Sequence, residues 1–95
     1  MRVVWASSAR DDVNRIVLHI AEDNVDAALR MEDRIESVVS RLNTMPLRTR
    51  PGRVDGTREL VITGTPYIAI LAISDDLVGV VRVLHGAQAW PPQET

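Results

Sequence analysis

The chain contains no cysteine, no lysine and no phenylalanine among its 95 residues. Without cysteine there is no disulfide, no thiolate nucleophile and no cysteine-based zinc site. The two histidines, His19 and His85, stand sixty-six positions apart with no cysteine beside either, so neither a metal nor a cofactor is expected. Long apolar runs are missing too. Nothing reaches the ~18 residues that a membrane span needs and no basic-plus-apolar leader begins the chain, which predicts a soluble, unexported, cytoplasmic protein without membrane contact. Positive charge is not in excess: all eleven basic residues are arginine, thirteen are acidic, and the net charge is −2. A protein that lives on phosphate contacts usually carries a positive excess, so direct general nucleic-acid binding is not expected. Ser7, Ser8 and Ser74 sit at helix starts and turns, outside any nucleophile elbow, and there is no glycine-rich phosphate loop.

What is present fits one small domain over residues 1–95, with a frayed tail at 91–95. Its organising stretch runs from Thr57 to Trp90. Three β-rich segments, residues 57–62, 67–73 and 77–84, are separated by Gly64-Thr65-Pro66 and Ser74-Asp75-Asp76, clusters that reverse an extended chain and predict a three-stranded antiparallel meander. The middle segment is apolar at all seven positions, so both of its faces should be covered and it should be the central strand. Arg82 interrupts Val80-Val81-Arg82-Val83-Leu84, where a guanidinium must be paired, solvated or used.

Upstream, Arg2-Val3-Val4-Trp5 reads as a short strand ending at a helix, with Ser8 as the N-cap and Asp11 and Asp12 in the first turn. Val13, Ile16, Val17 and Ile20 form one apolar stripe. Asn24 caps a second helix whose stripe is Ala28, Met31, Ile35, Val38 and Leu42, and Asn43-Thr44-Met45-Pro46 ends it. Residues 47–56 form a loop with Arg48, Arg50 and Arg53 opposed only by Asp55, either a solvated connector or a partner-contacting surface. The order is β-α-α-β-β-β: an α+β fold in which a helical hairpin packs on one face of a small, mainly antiparallel sheet. The meander brings Arg58, Tyr67, Arg82 and His85 near one another. Strict alternation sends Arg82 and His85 to opposite faces unless the strand bends. Arg58 has the alternative of pairing with Asp55 or Asp75, and Trp5 and Trp90 that of covering the sheet ends.

Gly56-Thr57-Arg58-Glu59-Leu60, Gly64-Thr65-Pro66-Tyr67-Ile68 and Arg82-Val83-Leu84-His85-Gly86-Ala87-Gln88-Ala89-Trp90-Pro91 resemble, in the same order, segments of the RelE/ParE toxin superfamily, most closely its ParE branch. The resemblance takes in Trp5 and Asn24 as well and implies the same β-α-α-β-β-β order. It implies a toxin of a type II toxin–antitoxin system, of the kind linked to plasmid stabilisation, that inhibits DNA gyrase by binding and is neutralised by a ParD-like antitoxin whose C-terminal segment folds on the toxin.

On that resemblance Arg53, Arg58, Tyr67, Arg82, His85 and Trp90 are expected to contact antitoxin or target, the arginines through bidentate pairing with antitoxin carboxylates. Charge reversal at Arg58 or Arg82 should then weaken antitoxin binding. The alternative that the superfamily carries is a ribosome-dependent mRNA endoribonuclease of the RelE type. There Arg58 and Arg82, which match sheet arginines of the family, would stabilise the phosphorane and His85 would act as acid or base. The absent lysines, the negative net charge and the ParE-like ending at Gly86–Pro91 weigh against it. A third expectation is a toxin-like fold without toxicity, acting as a binding module.

Overall fold

A computed structural model describes residues 2–44, 49–88, 90 and 91. Its elements run β1 (Arg2–Trp5), α1 (Ser7–Ala21), α2 (Val25–Ser40) with a 3-10 turn at Arg41–Asn43, β2 (Arg50–Pro51), β3 (Thr57–Val61), β4 (Tyr67–Ile73) and β5 (Leu77–His85). The sheet order is β1-β5-β4-β3-β2. β1 lies parallel to β5, a placement the residue pattern left open, and every other pairing is antiparallel. The expected α+β order therefore holds, with the short β2 added inside what reads as a loop. Pro51 is tolerated there because an edge strand need not donate on its outer side. The helix stop at Met45-Pro46, Arg48 and residues 92–95 of the expected tail lie outside the described residues. Among the described residues no helix is long and apolar enough to cross a membrane.

The hairpin forms much as its stripes predict. Asn24 accepts the Ala27 N–H at 2.9 Å and caps α2. Ser8, however, is not the N-cap of α1. The helix begins at Ser7 behind Ala6, which has no capping side chain, and Asp11 and Asp12 fall beyond the first turn. Ser8 and Asp12 serve the sheet instead. β1 pairs with β5 only from Leu77 to Val80, so the rest of β5 has no strand on that side. One turn apart on α1, Ser8 donates to Val81 O at 2.6 Å and Asp12 accepts the Val83 N–H at 3.0 Å. The helix thereby covers an edge that would otherwise expose unpaired backbone groups.

β4 is central, as its unbroken apolar run predicts: Ile68, Ala69, Ile70 and Leu71 are all buried. Ala69 and Leu71 face the hairpin in one cluster with Val13, Ile35, Val39, Leu60, Ile62, Val78, Val80 and Val83. Ile68 and Ile70 face away from it and pack with Leu84, Val81 and Trp90. A bulge fixes this division. Ile70 pairs with Arg82 but Leu71 pairs with Val80, which leaves Val81 as an extra residue. The hairpin-side positions on β5 therefore run 78, 80, 83 rather than 78, 80, 82. An unbulged strand would drive the Arg82 side chain into the apolar core; the extra residue puts Val83 there and turns Arg82 to the opposite face, beside Ile70.

Candidate functional site

From that second face the Arg82 guanidinium reaches round the open edge of β5 to α1. Nε donates to one Asp12 oxygen at 2.7 Å and Nη2 to the other at 2.9 Å, a bidentate pair. The Asp12 side chain is only 5% exposed and that of Arg82 25%. The Asp12 hydrogen bonds raise the Arg82 pKa, burial opposes them, and the Coulombic attraction of Asp12 adds to the rise. The ring of Trp90 lies 5.4 Å from the guanidinium carbon on the second face, within cation–π range. Arg82 is thus paired rather than held open for a ligand; Asp12 already takes its most directional donors.

Arg53 is committed in the same way. Its two terminal nitrogens donate to Gln88 O at 2.9 Å and Gly86 O at 2.8 Å, gripping the strap that follows β5. Its Nε lies 3.4 Å from Glu59, and its backbone N–H donates to the same carboxylate at 3.1 Å. Glu59 is 2% exposed and also receives Arg50 at 3.1 Å, so it is the hub that ties β2 and the loop behind it to β3. Arg53, Arg82 and Trp90 together hold the strap across Ile68, Ile70 and Leu84.

Arg58 stands apart. Its Nε donates to Thr49 Oγ1 at 2.6 Å and its Nη2 to Thr49 O at 2.7 Å, on the β2 side of the sheet. It pairs with neither Asp55 nor Asp75, and the expected grouping with Arg82 and His85 does not form. β4 separates Arg58 from β5, and the two guanidinia are drawn toward opposite ends of the sheet.

Tyr67 and His85 do meet. They are cross-strand partners on the hairpin side, with ring centroids 5.9 Å apart in an edge-to-face arrangement. His85 and Arg82 keep to opposite faces, because the bulge shifts both by one position. The two rings line a cleft of about 370 Å³ between α1 and the ends of β4 and β5, with Asp12, Arg15, Ile16, His19, Val83, Leu84 and Gln88. His19, whose side chain is 83% exposed, is at the rim of this cleft. Elsewhere the hairpin exposes Leu18, Val25 and Leu29 at 68%, 61% and 53%.

Sequence reasoning missed Asp12, Glu59 and Arg15. The first two had a signal. Asp12 interrupts the apolar stripe of α1 and Arg82 interrupts an apolar strand; two opposite charges in core-facing patterns, far apart in sequence, should be each other's partner. Glu59 between Arg58 and the buried Leu60 called for the same inference toward Arg50 and Arg53. Arg15 had none, since a surface helix routinely carries such a cation.

Comparison with known proteins places this geometry. The profile of the ParE toxin of the parDE type II toxin–antitoxin system matches residues 3–90. A protein of Sinorhizobium fredii named as a candidate toxin, Y4kP, is 40% identical over 90 residues, covering 95% of this chain and 93% of its own length. Toxin RelE2 of Caulobacter vibrioides is 33% identical over 87 residues, covering 92% and 97% respectively. A solved chain of the chromosomal ParDE toxin–antitoxin system from P. aeruginosa shares the fold with a TM-score of 0.79 at 23% identity, over 87% of this chain and 92% of that one.

Proposed function

The chain belongs to the ParE toxin family of type II toxin–antitoxin systems, and from that premise we propose that it inhibits DNA gyrase by binding and is neutralised by a ParD-like antitoxin. The observation that carries the non-catalytic reading is the dispersal of the residues a ribonuclease would need. Arg58 is bonded to Thr49, Arg82 is clamped by Asp12, and His85 packs on Tyr67 and accepts the Ala87 N–H, away from both arginines. Among the described residues the one arginine lining the cleft beside His85 is Arg15, and neither Arg58 nor Arg82, the sheet arginines a ribonuclease of this superfamily would use, reaches it.

For the antitoxin contact, the exposed Leu18, Val25 and Leu29 supply apolar anchors on the hairpin. Tyr67 and His85 are available at the cleft, whereas Arg53, Arg58, Arg82 and Trp90 contribute through the edges that their internal bonds leave open. The RelE-type alternative draws its support from the name of the Caulobacter relative. One paired experiment separates the two. Purified gyrase is assayed for supercoiling and cleavage with this protein added, and messenger RNA from expressing cells is mapped by primer extension. Loss of supercoiling with trapped cleaved DNA and intact messages is the expected result. Active gyrase with codon-positioned cuts would replace it by the ribonuclease, and His85 would become the first residue to mutate.

A further inference from the structure

The cleft beside Tyr67 and His85 goes beyond the toxin–antitoxin reading, and its chemistry is one-sided. Asp12 is the single acid in its lining, and Arg82 and the Val83 N–H already saturate that carboxylate. Arg15, Tyr67 and His85 can each donate into the cleft. Arg15 is 74% exposed along its side chain and touches Asp12 only at 3.5 Å. His85 Nδ1 accepts the Ala87 N–H, which makes Nε2 the protonated, donating nitrogen of the neutral ring. The Tyr67 hydroxyl has no hydrogen-bond partner among the described residues. His19 and the Gln88 amide, which both donates and accepts, complete the polar lining, and the exposed Glu22 lies 3.8 Å from His19.

Donors that arrive from a helix and from two strands surround a tetrahedral anion better than a planar carboxylate, which accepts in one plane. A volume of about 370 Å³ exceeds a bare phosphate, and Ile16, Val83, Leu84 and the Tyr67 ring form apolar walls. We propose that this cleft binds the phosphate monoester of a free mononucleotide, with Arg15, Tyr67 and His85 on the phosphate and the nucleoside against the apolar wall.

The test is titration of the whole protein with AMP, followed by chemical-shift changes in its amide spectrum. Adenosine, inorganic phosphate and a 5′-phosphorylated oligonucleotide serve as separate probes. Saturable AMP binding is expected, with Arg15→Ala and Tyr67→Phe each weakening it at least fivefold and Arg30→Ala, on α2, leaving it unchanged. Tyr67→Phe keeps the ring that packs on His85, so a folding defect cannot imitate its effect. Adenosine or inorganic phosphate binding as well as AMP would overturn the assignment. So would binding of the oligonucleotide alone, which would move the phosphate to a strand end, or no saturation at millimolar AMP. None of these readings involves gyrase or antitoxin, so the two proposals fail separately.

Discussion

Removing either member of the Asp12–Arg82 pair should cost a large fraction of this protein's stability, and unequally. Arg82→Ala leaves a carboxylate that is 5% exposed with the Val83 N–H and a 3.5 Å approach of Arg15 as its remaining partners. Stranding a buried charge in this way costs about 3–5 kcal/mol when no partner remains, and the surviving contacts bring the expectation to about 3 kcal/mol. Asp12→Ala leaves Arg82, whose side chain is 25% exposed and can take up water, together with a buried Val83 N–H without an acceptor. The unsatisfied N–H alone costs ~1–3 kcal/mol, so about 2 kcal/mol is expected, less than for the arginine. Domains of this size are stable by roughly 5–14 kcal/mol, which makes either loss severe.

Urea unfolding of both single variants and the double, followed by far-ultraviolet circular dichroism, closes the cycle. Once the partner is gone, the second substitution should cost little, giving a coupling of about 2 kcal/mol. A coupling under ~0.5 kcal/mol would mean the pair behaves as an exposed ion pair and would refute the clamp. The sign of the Arg82 shift adds a pH expectation. A cation whose folded pKa is raised gives stability that is fully present below its unfolded pKa and lost only as pH rises through the folded one. For Arg82 that window lies far into the alkaline range, so deprotonation of this residue contributes no loss of stability up to there.

Glu59→Gln should destabilise the fold by about 2 kcal/mol and loosen β2, since Arg50 and Arg53 lose the buried charge they share; hydrogen exchange at the Arg53 amide reads the loosening directly. Trp90→Ala should raise exchange in residues 86–88 and in Ile70 while leaving the hairpin amides unchanged, because Trp90 packs on the second-face cluster, across the sheet from the hairpin. Gly64→Ala should cost about 1 kcal/mol in the β3–β4 turn, where φ is +81°, measurable as a lowered urea midpoint at constant slope.

The legible parts of this fold are those that periodicity encodes. The hairpin stripes, the Asn24 cap, the two turns of the meander and the double-faced burial of β4 each follow from local spacing, and each is present. The roles of Ser8 and Asp12, which escaped the sequence, depend on a long-range fact, that β1 stops at Trp5 while β5 continues. The uncovered edge recruits Ser8 and Asp12 from α1, which is why Ser8 is not the cap and why Asp12 is buried. The bulge at Val81 is invisible for the same reason: no residue type announces it, and it is selected by where Arg82 can be paired. At the candidate site, the Tyr67–His85 meeting was legible from the strand register, whereas the departure of Arg58 toward Thr49 was not, because it depends on the path of the chain before β2.

These internal partners change what a mutation can report about binding. Replacing Arg82 by glutamate would set a carboxylate against the buried Asp12, so a loss of antitoxin affinity in that variant would measure repulsion inside the toxin as much as a lost contact. The same holds for Arg53, where reversal would confront Glu59 and release the strap at Gly86 and Gln88. A partner carboxylate that used Arg82 frontally would have to displace a bidentate ligand already in place, and the gain would be only the difference between two similar pairs. Affinity therefore has to come from surface that folding leaves unsatisfied. Among the described residues the most exposed large apolar side chains are Leu18, Val25 and Leu29, all on the hairpin, and further donors stand at the mouth of the Tyr67–His85 cleft. Substitution of Leu18 and Leu29 by serine, which touches no buried charge, is accordingly the cleaner probe. It should weaken the antitoxin by at least tenfold, about 1.4 kcal/mol, with the urea midpoint unchanged. Undiminished affinity on titration would move the antitoxin off the hairpin.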